Sequence, residues 1–193
     1  MTAGILALDV ATTTGYAIGE PGGRPIYGHH RAGKPRDGGG EVLAQFDRWL
    51  DALLVQHRPA WVAFEAPYVP RVTPRRVRTR TGQVIAVAPA KGAPIDNNVI
   101  RRLYALCGLV ELAAHRHGIA CREAGSSEIC RFFTGNGSWG GRAGKKAATQ
   151  KACAVYGFPG VTEDEADALA LWVYAEAVLF PRRTPRSAGP LFA

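Results

Sequence analysis

Long apolar runs, a cationic leader and paired cysteines are all missing from this sequence of 193 residues. No stretch of 18 apolar residues occurs, so we expect no membrane span. The first residues lack the basic start of a signal peptide. The cysteines match neither a CxxC pair nor zinc-finger spacing, and are therefore expected to be structural thiols. We expect a cytoplasmic protein that does not associate with membranes; its cysteines are Cys107, Cys121, Cys130 and Cys153.

The overall composition is that of one globular domain. Apolar residues make up 47% of the chain and charged residues 21%, which excludes a disordered protein. We predict a single domain over residues 1–180. The remaining residues, 181–193, are rich in proline and arginine, and we predict that this tail is disordered.

Acidic residues are scarce, and the excess of basic residues is clustered. The formal net charge is +8, from 24 Lys and Arg against 16 Asp and Glu. Residues 66–95 contain six cations and no acid, and we predict a long basic loop over 66–96. A second stretch, residues 131–151, also lacks acids. The clustering favours a polyanionic partner such as nucleic acid, although a solvated basic surface is the alternative.

The hydrophobic pattern predicts an α/β fold. Three short strands follow one another within residues 4–30, with TTTG as the tight turn after the first. Further strands, WVAFEAP and IACREA, alternate with helices, and a last helix is predicted over Glu163–Phe180. Hairpin strands followed by alternating helices and strands predict a five-stranded mixed sheet, first antiparallel and then parallel, with helices on both faces.

Two acids end apolar strands. Asp9 lies within ILALDVA and Glu65 ends WVAFE. A lone carboxylate buried there would cost several kcal/mol unless it is paired or bound to metal. Simple solvation at a strand end is the alternative for either residue alone.

Two more acids lie near the start of the last helix. Thr162 and Glu165 have the spacing of a capping box, which places Asp164 in the first turn. Asp164 and Asp167 are three residues apart and share one helix face. A favourable interaction with the helix dipole could explain why an acid occupies position 164. It does not explain Asp167, which lies beyond the first turn of the helix.

Together these residues predict a metal-dependent nuclease. Carboxylate oxygens without His or Cys suit Mg²⁺ or Mn²⁺. Four clustered carboxylates would repel one another without cations, and a pair of ions can stabilise both the attacking and the leaving oxygen in phosphodiester hydrolysis. The predicted catalytic and metal-binding residues are Asp9, Glu65, Asp164 and Asp167.

The same motifs resemble the RuvC-type Holliday junction resolvases of the ribonuclease H-like superfamily. LALDVATTTGYAI, VAFEAP and EDEADALALW carry the resemblance, which spans about residues 4–178. It implies a ribonuclease H-like fold and a homodimer that binds a four-way DNA junction. It also implies symmetric paired nicks made with two divalent metal ions. The unusual length of the basic loop indicates a divergent, phage-type member, which could also accept flaps and replication forks.

The resemblance also implies DNA contacts outside the acids. Tyr68 lies three residues after Glu65, where the family has an aromatic residue that can stack on bases. For Tyr68, the alternative is a surface tyrosine that does not contact DNA. For the basic residues before the last helix, the alternative is that they are simply solvated lysines. The residues expected on the ground of the resemblance to contact DNA are Tyr68, Arg131, Arg142, Lys145 and Lys146, and the charge of the basic loop adds Arg75, Arg76 and Arg78.

Two other functions stay open. One is a ribonuclease H-like nuclease that processes RNA, although such proteins are usually shorter and lack the basic insertion. The other is a binder of branched DNA that has lost catalysis, against which the presence of all four acids argues.

Overall fold

The computed structural model describes residues 4–34, 36–67, 75–78, 82–87, 97–136 and 142–181, with the backbone alone at 75–78, 84–87 and 142. The strands are β1 (Ile5–Asp9), β2 (Thr13–Gly19), β3 (Ile26–Arg31), β4 (Trp61–Glu65), β5 (Arg75–Arg78), β6 (Val84–Val87) and β7 (Ala120–Ala124). The helices are α1 (Gly39–His57), α2 (Asn97–Arg116), α3 (Ser126–Thr134), α4 (Arg142–Val155) and α5 (Glu163–Leu179).

Five of the strands form one mixed sheet in the order β3-β2-β1-β4-β7. The pairs β1–β2 and β2–β3 are antiparallel, whereas β1–β4 and β4–β7 are parallel. The predicted architecture is therefore confirmed. The parallel half requires helical crossovers, which α1 and α2 provide.

The core has two layers because β1 is buried on both sides. Ile5 and Ala7 pack with α3, α4 and α5, whereas Leu6 and Leu8 pack with α1 and α2. This alternation follows from the two-residue period of a strand. Helix α5 is apolar on nearly all sides and lies across β1 and β2, so most of its length is buried. The prediction of helices on both faces is confirmed.

The segment predicted as a basic loop contains regular structure. Strands β5 and β6 pair antiparallel, with Arg76 opposite Ala86 and Arg78 opposite Val84. The prediction of a loop throughout 66–96 is therefore wrong at this hairpin. Valine and isoleucine favour extended backbone, and Gly82, with a φ of 84°, lies in the connection between the strands. The tail predicted as disordered lies outside the described residues, apart from residue 181.

Among the helices in the described ranges, none has the length and apolar character needed to cross a membrane.

Candidate active site

The sheet brings the two strand-end acids to one edge. β1 and β4 run parallel, and Leu8 pairs with Phe64. The next residue on each strand is an acid, so Asp9 and Glu65 lie at the carboxyl ends of neighbouring strands. Both side chains are half-buried. In open α/β sheets this edge is the usual place for a ligand site.

The start of α5 brings the other two acids to the same edge. The Thr162 hydroxyl accepts a hydrogen bond from the backbone N–H of Glu165 at 3.3 Å, and the Glu165 carboxylate accepts one from the backbone N–H of Thr162 at 2.9 Å. This capping box confirms the predicted helix start. His29 Nδ1 lies 2.9 Å from Glu165 Oε1 and ties the cap to β3. Asp164 and Asp167 are half-buried.

Gly15 allows α5 to approach the sheet. It lies in β2 opposite Asp9, and a Cβ there would overlap the carbonyl oxygen of Asp164 and lie 3.3 Å from the Ala168 Cβ. TTTG was expected to form a turn, but β2 begins at Thr13, so Gly15 lies inside a strand and that expectation is wrong. A glycine inside a strand is a recognised sign of close backbone approach, and this signal could have identified the residue.

The carboxylates influence one another electrostatically. Burial raises the pKa of Asp9 well above its usual value, and the neighbouring charges of Glu65, Asp167 and Asp164 raise it further. Burial also raises the pKa of Asp167, where Lys145 and Lys146 act in the opposite direction. Repulsion among these carboxylates therefore adds to the effect of burial at both residues.

Lys145 lies among these acids. Its Nζ is 3.7 Å from Glu65 Oε1 and donates a hydrogen bond to the Ser126 hydroxyl at 2.9 Å. Burial lowers the pKa of Lys145, but the charges of Glu65, Asp167 and Asp9 raise it on balance. The ammonium group is therefore held in its charged form. Sequence reasoning missed Ser126, which carries no signal beyond its place after a strand.

Lys146 has a different environment from its neighbour. It forms an ion pair with Glu163 at the start of α5, and both side chains are partly exposed. The sequence analysis did not predict this pair. The two adjacent lysines thus contact different acids.

The donor set fits a hard divalent cation. Oxygen ligands from carboxylates are those preferred by Mg²⁺ and Mn²⁺. Within the described part of the chain, no three His, Cys, Asp or Glu side chains converge closely enough to hold an ion as they stand. Burial is the main cause of the raised pKa of Asp9, but the charges of three neighbouring carboxylates add to it, and a cation placed between them would reduce this repulsion.

The other predicted DNA-binding residues are distributed over several elements. Arg131 is exposed on α3. Arg142 begins α4, and Arg75, Arg76 and Arg78 lie in β5, with only their backbone described. Tyr68 lies outside the described residues. The structure thus places Lys145 among the acids and Lys146 beside Glu163 at the start of α5, whereas Arg131 lies on α3 and the side chains of the remaining predicted residues are not described.

Comparisons with known proteins identify the fold. No family model and no curated protein matches the sequence. Thermus thermophilus RuvC, in a structure with Holliday junction substrate, is similar with a TM-score of 0.62 and 14% identity, over 94% of this chain and 98% of that one. A second structure of the same protein is similar with a TM-score of 0.61 and 16% identity, over 94% of this chain and 99% of that one. The yeast mitochondrial Holliday junction resolvase Ydc2 is similar with a TM-score of 0.54 and 11% identity, over 94% of this chain and 82% of that one.

Proposed function

We propose that this chain, which has the ribonuclease H-like fold of RuvC-type resolvases, is a metal-dependent endonuclease that cleaves four-way DNA junctions by paired symmetric nicks. The observation that carries the proposal is the cluster of four carboxylates from β1, β4 and α5 at one edge of the sheet. Fold alone does not define activity. The acids supply the chemistry that a nuclease requires.

The residues that would hold the metal are Asp9, Glu65, Asp164 and Asp167. When bound, two Mg²⁺ or Mn²⁺ ions would supply an activated water and stabilise charge on the scissile phosphate. The backbone of Asp9 is fixed by pairing with Gly15 and that of Glu65 by pairing with Ala124, and the capping box fixes the start of α5. Rigid elements of this kind hold reacting groups in a productive geometry.

The basic excess supports a DNA substrate. The net charge of +8 favours binding to phosphates, which makes affinity depend on salt. We assign phosphate contact to Arg75, Arg76 and Arg78 at β5. Replacing all three by alanine is expected to weaken junction binding and to reduce the slope of log affinity against log salt. An unchanged slope would contradict this assignment.

We also propose that the protein acts as a homodimer through α2. Tyr104 and Leu112 are 42% and 49% exposed on its outer face. They lie four residues on either side of Gly108, where a Cβ would meet no atom within 4 Å. Two antiparallel copies crossing at Gly108 would therefore place Tyr104 of one against Leu112 of the other, as a two-fold interface requires. Leu112→Asp should give a monomer in light scattering.

The decisive experiment compares a labelled four-way junction with matched duplex, flap, fork and RNA substrates, in Mg²⁺ or Mn²⁺. Wild type is expected to nick the junction at symmetric positions, and Asp9→Asn is expected to bind it without cleavage. Cleavage of RNA alone would favour the RNA-processing function. Binding of the junction without cleavage in any metal would favour a non-catalytic binder of branched DNA.

A further inference from the structure

We propose that Lys145 is a tethered counter-cation of the carboxylate cluster, that it competes with the divalent ion for this site, and that Ser126 positions it. The inference rests on the proposed metal site and concerns how that site is regulated. It assigns to Lys145 a role distinct from contact with DNA phosphate.

The position of the ammonium group is the first observation. Lys145 Nζ lies 3.7 Å from Glu65 Oε1, and neither side chain is more than 28% exposed. The charges of Asp167 and Asp9 also act on it. A cation placed among these acids reduces their mutual repulsion, and partial burial weakens the screening by solvent.

The spread of the carboxylates is the second observation. No three His, Cys, Asp or Glu side chains of the described ranges converge on a single point. Ligation of a divalent ion needs the carboxylate oxygens to converge, including those of Glu65 that now face Lys145. Ion binding must therefore weaken the pair between Lys145 and Glu65, and each cation reduces the attraction of the cluster for the other.

Ser126 fixes the lysine by a contact that follows from sheet topology. Glu65 pairs with Ala124 across β4 and β7, and Ser126 begins α3 two residues later. Its hydroxyl accepts a hydrogen bond from Lys145 Nζ at 2.9 Å. The lysine side chain, which otherwise has many rotamers, is thereby held toward Glu65.

The adjacent lysine provides a matched control. Lys146→Met removes the same charge from the same helix, but its ion pair is with Glu163, which is not one of the four acids, and Lys146 lowers the pKa of Asp167 less than Lys145 does. Binding of Mn²⁺ to the full chain is measured by calorimetry, at constant pH and salt, for wild type, Lys145→Met, Lys146→Met and Ser126→Ala. Circular dichroism establishes that each variant is folded.

Lys145→Met is expected to bind Mn²⁺ about fivefold more tightly than wild type, the size expected for loss of a partly exposed ion pair. Lys146→Met should change the affinity less, and Ser126→Ala should shift it in the same direction as Lys145→Met. In EDTA, Lys145→Met is expected to have a lower melting temperature than wild type, because the acids lose their counter-cation. Addition of Mn²⁺ should raise the melting temperature of Lys145→Met by more than it raises that of wild type.

Two results would overturn the proposal. If Lys145→Met binds Mn²⁺ no more tightly than Lys146→Met, Lys145 does not compete with the ion, although the nuclease function stands. If wild type and all variants are folded but do not bind Mn²⁺, the proposed metal site is refuted, and the proposed competition between Lys145 and the ion is refuted as well. Should Lys145→Met prove too unstable, Ser126→Ala measures the same competition with a smaller change.

Discussion

Gly15→Ala tests how closely α5 approaches the sheet. An alanine Cβ would overlap the Asp164 carbonyl oxygen and lie 2.5 Å from the carbonyl carbon. Both atoms belong to backbone, so neither can rotate away as a side chain could. The helix start must therefore move, and it carries the carboxylates of Asp164 and Asp167 with it.

The cost can be worked out from two opposing effects. Overpacking costs about 1–3 kcal/mol, and alanine in a strand recovers roughly 0.5–1 kcal/mol relative to glycine. Because the clash is with backbone, we take the upper part of the overpacking range and expect the free energy of unfolding to fall by about 2 kcal/mol in total. For a protein of this size, that corresponds to a fall in melting temperature of roughly 4–8 °C.

The assay is thermal unfolding followed by circular dichroism, with Mn²⁺ binding measured by calorimetry on the same samples. Gly40→Ala is the control, because a Cβ there meets nothing within 4 Å and alanine favours the helix. We expect Gly40→Ala to melt at or above the wild-type temperature and to bind Mn²⁺ normally. A Gly15→Ala protein with wild-type stability and metal affinity would refute the close approach.

Three further predictions concern the same edge. Asp9→Asn removes a charge that burial and three carboxylates disfavour, so in EDTA it should melt at or above the wild-type temperature while losing stabilisation by Mn²⁺. Thr162→Ala should lower the free energy of unfolding by about 1 kcal/mol through loss of the cap, measured by urea unfolding. Burial raises the pKa of Glu165, but hydrogen bonds from Thr162 and His29 lower it on balance, so its contribution to stability is present above the ordinary glutamate pKa and is lost as pH falls through the lowered value. Glu165→Gln, which can still cap the helix, should lose less stability on acidification in urea titrations.

The secondary structure around the site was largely predictable because it depends on local patterns. The apolar run before Asp9 and the helical spacing after Thr162 are properties of neighbouring residues. The capping box confirms the start of α5, and β1 ends at Asp9. Strand-end acids were recognisable because a carboxylate in an apolar run requires a partner.

The β5–β6 hairpin and the position of Gly15 inside a strand were not predicted, for related reasons. Arginine-rich β5 lacks the alternation of apolar and polar residues that marks a half-buried strand, and its pairing with β6 depends on a partner several residues away. TTTG has the composition of a turn, but pairing with β1 extends it into β2. Tertiary contact overrides local preference in both cases.

The sequence by itself determined the helices, the strands of the five-stranded sheet and their order along the chain, and it singled out the four acids as candidates, because hydrophobic period, capping and strand-end carboxylates are local. Only the tertiary structure decided that Lys145 lies beside Glu65 and Lys146 beside Glu163. These adjacent lysines are chemically identical, so no local pattern separates them. Their different partners follow from how α4 packs between α3 and the start of α5, which brings together residues far apart in the chain.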